Sequence, residues 1–360
     1  MLQFYELVNV STKLGFLATF IINMIFINLT VSYAKYIPKT YKKLLVLFAV
    51  TCIIFAVIET SSQPFIHTFN GGLVYFSLVE MEIEKSLFSK QSLEVVLIVN
   101  ASCYVAQMVF IAIQFLFRCF TLLQHPLQNT FKGFSQVIWI FYFFACGAIY
   151  GFSIYYFLKP DDFSDTYLQD EFRHVYHREI KDVVRVLAVA YEKGSVRWKV
   201  VTFFCTGAVL CGIQYTIIIT CSLKMQKAMK TELQRLSTRN RKLEMQFFKA
   251  LTAQIILPTF LITIPIGFVL LAPLLDAKIS CQTGLVFALY SLYPPLDSVA
   301  TMVIIKEYRG CVRSRSILKG VYIDVGNVSG FWKDTMNVFG MAQTPQPNRR
   351  SVRETESSVL

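Results

Sequence analysis

Seven predominantly apolar runs divide the chain, at about 14–34, 44–66, 93–117, 136–158, 200–223, 250–273 and 281–305. Each has at least the roughly 20 residues that a helix needs to cross about 30 Å of hydrocarbon. The runs are continuous rather than alternating, and an unpaired backbone is intolerable in lipid, so the pattern predicts helices and not barrel strands. The expected fold is an all-α membrane protein, a seven-transmembrane helix bundle over residues 1–313. The Ser/Arg/Glu-rich remainder, 314–360, reads as a largely disordered cytoplasmic tail. The first run exceeds a signal-peptide core and lacks a small-residue cleavage site, so it reads as an uncleaved span. The second run turns polar at Glu59-Thr60-Ser61-Ser62-Gln63-Pro64, but Leu44 to Ile58 is almost uninterrupted.

Between the runs, the longest outer segment is 159–199. Its first half mixes acids and bases and is compatible with a short helix. Its second half pairs the β-branched run Val183 to Tyr191 with turn residues Glu192-Lys193-Gly194-Ser195 and then Val196-Arg197-Trp198. That arrangement predicts a β-hairpin over the mouth of the bundle, in the second extracellular loop. On the opposite side, Leu236, Leu243, Phe247 and Leu251 recur near helical spacing with Arg239, Arg241, Lys242 and Lys249 between them. The sixth helix is therefore expected to continue below the membrane as a cationic stalk. No internal repeat is visible, which gives a transporter of the inverted-repeat kind no support.

Composition changes the picture only through its distribution. The chain is 54% hydrophobic and 16% charged, with a net charge of +12. Of its 35 Lys and Arg, 23 fall on one set of alternate loops, including Lys35, Lys39, Lys42 and Lys43 just after the first run. The positive-inside rule makes that side cytosolic and the N-terminus extracellular. The basicity is thus a topology signal, and nucleic acid is not an expected partner. A seven-span odorant-gated channel of the insect type carries its N-terminus inside, so the same count weighs against it. The nine cysteines lie mostly in spans or at their cytosolic ends, which argues against an outer disulfide framework. Cys311 sits among arginines just past the seventh run and suits palmitoylation. Asn9-Val10-Ser11 is the sequon placed for glycosylation, since those at Asn28 and Asn100 are intramembrane and that at Asn327 is cytosolic.

Polar and proline residues inside spans carry the remaining information. Glu59 is an intramembrane acid suited either to a cavity wall or to helix packing. Pro258 and Pro265 are seven residues apart on nearly one face of the sixth run, so they bend it. Pro294 and Pro295 free backbone acceptors in the seventh, where Asp297 is placed to pair with freed backbone or a polar neighbour. Arg118, at the inner end of the third run, suits either a bridge between helices or an ordinary topology-setting role. No zinc motif, nucleophile elbow or phosphate loop is present, and the 281–305 run has no lysine for a retinal Schiff base. An enzyme is not expected, and no cofactor or metal is implied.

Specific residues narrow this further. The run from Leu243 to Gln254, with Ile256-Leu257-Pro258 and Pro265, closely resembles the helix 6 signature of nematode serpentine chemoreceptors of the Str class. So do Tyr293-Pro294-Pro295-Leu296-Asp297 with Tyr308-Arg309, Tyr41-Lys42, and Glu59 with Pro64 and His67. The third run ends Phe117-Arg118-Cys119, where the family has an aromatic residue, Arg and Tyr. The resemblance extends to about residue 313. It implies a chemosensory, olfactory-type G-protein-coupled receptor in the plasma membrane of a sensory-neuron cilium, with a small organic ligand and a heterotrimeric G protein as partners. On that footing the ligand is expected between the second, third, fifth, sixth and seventh helices, near Glu59, Gln63, Asn100, Cys103, Tyr104, Gln107 and Tyr290. The G-protein-facing residues would be Arg118, Lys224, Lys227, Arg241, Lys242 and Lys249. Pro258, Pro265, Pro294, Pro295 and Asp297 would form the conformational switch.

Overall fold

The computed structural model describes residues 4–35, 37–79, 89–231, 238–278 and 280–314. Six helical spans are long and apolar enough to cross a bilayer. They comprise α1 (Phe4–Ser32), α2 (Lys39–Ser62), α3 (Lys90–Leu122), α4 (Val137–Phe157), α6 (Trp198–Thr231), and the composite of α7 (Thr238–Pro258) with α8 (Ile264–Leu274). The seventh is α9 (Leu285–Ile304), shorter and interrupted by Pro294 and Pro295. A final helix, α10 (Lys306–Ser314), follows directly. The expected tail, Leu236 and the Asn327 sequon lie outside the described residues.

Several boundaries differ from expectation for identifiable reasons. The second span ends at Ser62 rather than continuing to 66. Gln63 takes a left-handed conformation (φ 41°), its N–H still bonds Glu59 O, and Pro64 then starts a strand. Between α7 and α8 lies a π-helical turn, Thr259–Thr263, flanked by Pro258 and Pro265. A proline supplies no N–H to the helical ladder, and wider i→i+5 pairing is one way a span absorbs that loss. The two expected kinks thus merge into one distorted segment.

The outer face is a β-structure built by three loops. Strands β1 (Pro64–Phe69) and β2 (Gly72–Ser77) form an antiparallel hairpin closed by Asn70-Gly71. Both turn residues have positive φ (45° and 77°), the geometry of a two-residue turn matched to strand twist. Strand β3 (Arg185–Val189) joins β2, and β6 (Cys281–Gln282) joins β1, giving the order β3-β2-β1-β6. The expected hairpin in 183–198 is present but short, because the long strand Arg185–Val189 joins β2 instead. Only β4 (Tyr191–Glu192) and β5 (Ser195–Val196) pair across Lys193-Gly194. A β-branched strand whose side chains are buried finds more partners in a three-loop sheet than in an isolated ribbon.

The acid-and-base-rich half of that loop forms α5 (Asp162–Tyr176), capped by Asp161, whose Oδ1 accepts from the Ser164 N–H at 2.8 Å. Ion pairs tie the loop together, two of them through arginines that are largely buried. Arg185 makes a two-point contact to Asp165 at 2.8 and 2.7 Å, and Arg197 pairs with Asp161. His67 on β1 places Nδ1 2.9 Å from the Tyr176 hydroxyl and Nε2 3.4 Å from Ser280, which donates to Glu171 at 2.6 Å. Beneath this cap, the sheet, α5 and the outer end of α3 share one apolar core. A second core surrounds Tyr41, Phe117, Phe247 and Tyr308 at the inner end.

Candidate functional site

Under the sheet lies a cavity of about 520 Å³, within the size range of sites for small organic molecules. Its roof is Ile66, Leu73 and Tyr75 of β1–β2 with Val186 and Ala188 of β3. Its walls come from α3, α4, α6, α8 and α9, with Pro258 and Ile262 of the distorted sixth span also in the lining. Helix α2 contributes no residue. It packs on α1 and α3 instead, with Phe48 and Phe110 rings 5.3 Å apart. The cavity expected to involve the second helix is thus displaced toward the fourth.

Of the seven proposed ligand residues, Tyr104, Gln107 and Tyr290 line the cavity. They form one group: Tyr290 donates to Gln107 Oε1 at 2.9 Å, and the Tyr104 and Tyr290 rings meet edge-on at 4.2 Å. Asn100 stands one layer behind, its Oδ1 accepting from Tyr75 at 3.0 Å and Tyr104 at 3.3 Å. Cys103 packs among Phe55, Ala106, Ile58 and Phe143. Glu59 is buried on α2 and Gln63 caps it, both outside the lining. Glu59 is nonetheless an electrostatic neighbour of Tyr75, Tyr104 and Tyr290.

Below the cavity, Gln254 Nε2 donates to Asp297 Oδ2 at 2.9 Å, joining α7 to α9 one turn before Pro258. Ser298 donates to Asn23 of α1 at 2.8 Å. At the inner end, Arg118 is buried, and its Nη2 donates to Glu244 Oε2 of α7 at 2.7 Å. Its guanidinium stacks 4.6 Å from the Tyr41 ring and 4.2 Å from that of Phe247. One side chain therefore clamps α2, α3 and α7 together.

The architecture agrees with what the chain resembles. A model of the serpentine type seven-transmembrane chemoreceptor family Str matches residues 8–313. The chain belongs to the Str family of serpentine chemoreceptors. "G-protein coupled receptor str-33" of Caenorhabditis elegans is 35% identical over 312 residues, covering 84% of this chain and 89% of that one. "Serpentine receptor class r-10" of Caenorhabditis briggsae is 25% identical over 319 residues, covering 85% and 89%. Among solved structures, squid rhodopsin superposes with a TM-score of 0.52 at 12% identity, covering 95% of this chain and 86% of that one. That likeness supports the seven-helix fold, and the receptor is a multi-pass membrane protein.

Elsewhere on the receptor, Lys224, Lys227 and Lys242 are exposed on the inner portions of α6 and α7, and Arg241 and Lys249 are half-buried. Asn9 is half-buried within α1, ahead of the apolar run that starts at about residue 14. Cys311 falls in α10, with its side chain outside the described residues. Pro265, Pro294 and Pro295 do not line the cavity, whereas Pro258 does. The roof residues of β1–β2 escaped sequence reasoning. Their signal is Asn70-Gly71 between two runs of strand formers, a pattern hidden because the second span was carried through Pro64.

Proposed function

We propose that the chain is a ligand-activated chemosensory receptor that binds a small organic molecule in the sub-sheet cavity and activates a heterotrimeric G protein through movement of α7–α8. The observation that carries this reading is that Pro258, Ile262 and Thr263 of the distorted sixth span form part of the cavity wall. A molecule seated there touches the segment whose inner continuation, α7, is held by Arg118–Glu244. Two helix positions with different cavity shapes give a ligand the differential affinity that a population shift requires. Releasing the clamp frees Arg118 and opens a cationic recess bordered by Lys224, Lys227, Arg241, Lys242 and Lys249, suited to an acidic G-protein surface. The expected location is the plasma membrane of a sensory cilium.

Simultaneous neutralisation of Arg241, Lys242 and Lys249 to Gln tests the inner face. Agonist-stimulated nucleotide exchange on the G protein is expected to fall at least several-fold at normal surface expression. Unchanged exchange would remove those residues from the interface. Calcium imaging of expressing cells against volatile and water-soluble panels identifies the agonist.

A further inference from the structure

Three features of the cavity point to one kind of ligand and one route. The lining contains no Asp, Glu, Lys, Arg or His. Several of its polar groups are already engaged: Gln107 with Tyr290, Tyr104 and Tyr75 with Asn100, and Thr263 with Tyr215. An ion entering such a site loses its hydration with no charged group in the lining to replace it, a penalty that favours uncharged ligands.

The roof is closed. Ile66, Leu73, Val186 and Ala188 are all buried, and the β1–β2 and β2–β3 ladders run unbroken above the cavity. No comparable seal exists between α6 and α8. Helix α6 packs along α3 and α4, and α8 packs against β1 and β2, but the two make no extensive contact with each other. Their separation is bracketed at both ends. At the outer end, the Tyr191 hydroxyl donates to Leu274 O at 2.9 Å. At the inner end, the Tyr215 hydroxyl meets Thr259 Oγ1 at 2.9 Å and Thr263 Oγ1 at 3.1 Å. From Thr263 to Leu274 the axial rise is about 16 Å at 1.5 Å per residue. Within that window Cys205 and Ala208 of α6 and Leu271 of α8 line the cavity and are exposed. Gly267, also lining, has no neighbouring atom within 4 Å of where a Cβ would stand. The neighbouring faces carry Val209, Ile213, Ile264 and Phe268, an apolar surface suited to acyl chains.

We propose that the cavity is filled laterally from the bilayer, through the window between α6 and α8, by an uncharged and predominantly apolar ligand. The proposal rests on the reading that this cavity is the ligand site. Such a molecule concentrates first in the membrane and then needs no opening of the sheet. Its polar end, where it has one, is offered the Gln107–Tyr290 pair.

The test uses the full chain in lipid nanodiscs with two photoreactive probes: a diazirine-bearing long-chain primary alcohol, and the same chain ending in trimethylammonium. Cross-links are mapped by mass spectrometry on the α3 peptide holding Gln107 and the α9 peptide holding Tyr290. The alcohol is expected to label both and the cation neither. Gly267→Trp and Ala208→Trp plug the window from opposite helices, so misfolding of one leaves the other readable. A gate that must first open slows association, and each plug is expected to slow labelling roughly tenfold. Gly212→Trp, exposed on α6 outside the lining, serves as the control and is expected to leave the rate unchanged. Undiminished rates in folded plugged variants would overturn lateral entry. Equal labelling by the cation would overturn the uncharged ligand class. Absence of both labels from the wild-type peptides would instead overturn the cavity as the ligand site.

Discussion

Arg118 illustrates how much one residue decides. It is buried, yet its charge is matched by Glu244 and by two aromatic faces rather than by water. A hydrogen bond to a charged group contributes about 1.5–3 kcal/mol, and 1.4 kcal/mol is a tenfold change in an equilibrium. Glu244→Gln is therefore expected to raise ligand-independent G-protein activation roughly tenfold, measured as nucleotide exchange at matched surface expression. Unchanged basal exchange would mean that the clamp does not hold the closed state. The sequence placed Arg118 at a helix end but could not supply its partner, since Glu244 is 126 residues away and its apposition depends on how α7 is rotated. Asp297 was easier to read: among Pro294, Pro295 and an apolar stretch, an acid demands a polar neighbour, and Gln254 is that neighbour.

At the level of elements, the outer sheet is stabilised by ion pairs and a histidine cluster in place of cross-links. The eight cysteines whose side chains are described all carry free thiols. The Arg185–Asp165 pair is nearly buried, and removing one partner of such a pair typically costs about 3–5 kcal/mol. Asp165→Asn should lower the thermal midpoint of the purified receptor by several degrees, and no shift would show that the pair is dispensable. His67 adds pH dependence. Burial holds its imidazole below the ordinary value of 6.5, with the Glu171 carboxylate opposing. The unfolded chain thus takes up a proton before the folded one does. Stability is full above about pH 6.5 and declines as pH falls from there toward the lower folded value. Thermal unfolding between pH 7.5 and 5 should show this decline, and His67→Gln should flatten it. The sheet itself was only half legible. Helical runs announce themselves through lipid, whereas β3 chose a partner more than 100 residues distant in sequence.

For the whole molecule, the bilayer makes the architecture readable. Lipid forbids unpaired backbone and charge asymmetry orients the chain, so seven spans and the outer N-terminus follow from composition along the sequence. An epitope placed ahead of residue 4 should accordingly bind antibody on unpermeabilised cells, and staining only after permeabilisation would reverse the orientation. Which helices enclose the cavity was not legible, because seven apolar rods admit many neighbour arrangements. The second helix was chosen for its polar end, yet that end turns into the sheet while Phe48 packs on Phe110.

The four-stranded cap also imposes an order on biogenesis. Its strands come from the loops after α2, α4 and α8, and β6, at residues 281–282, is the last of them to leave the ribosome. Until then β1 presents His67 and Thr68 as an open edge, and exposed strand edges invite pairing with other chains. A nascent receptor lacking its last loop should therefore be a preferred chaperone client, released when Cys281–Gln282 completes the edge.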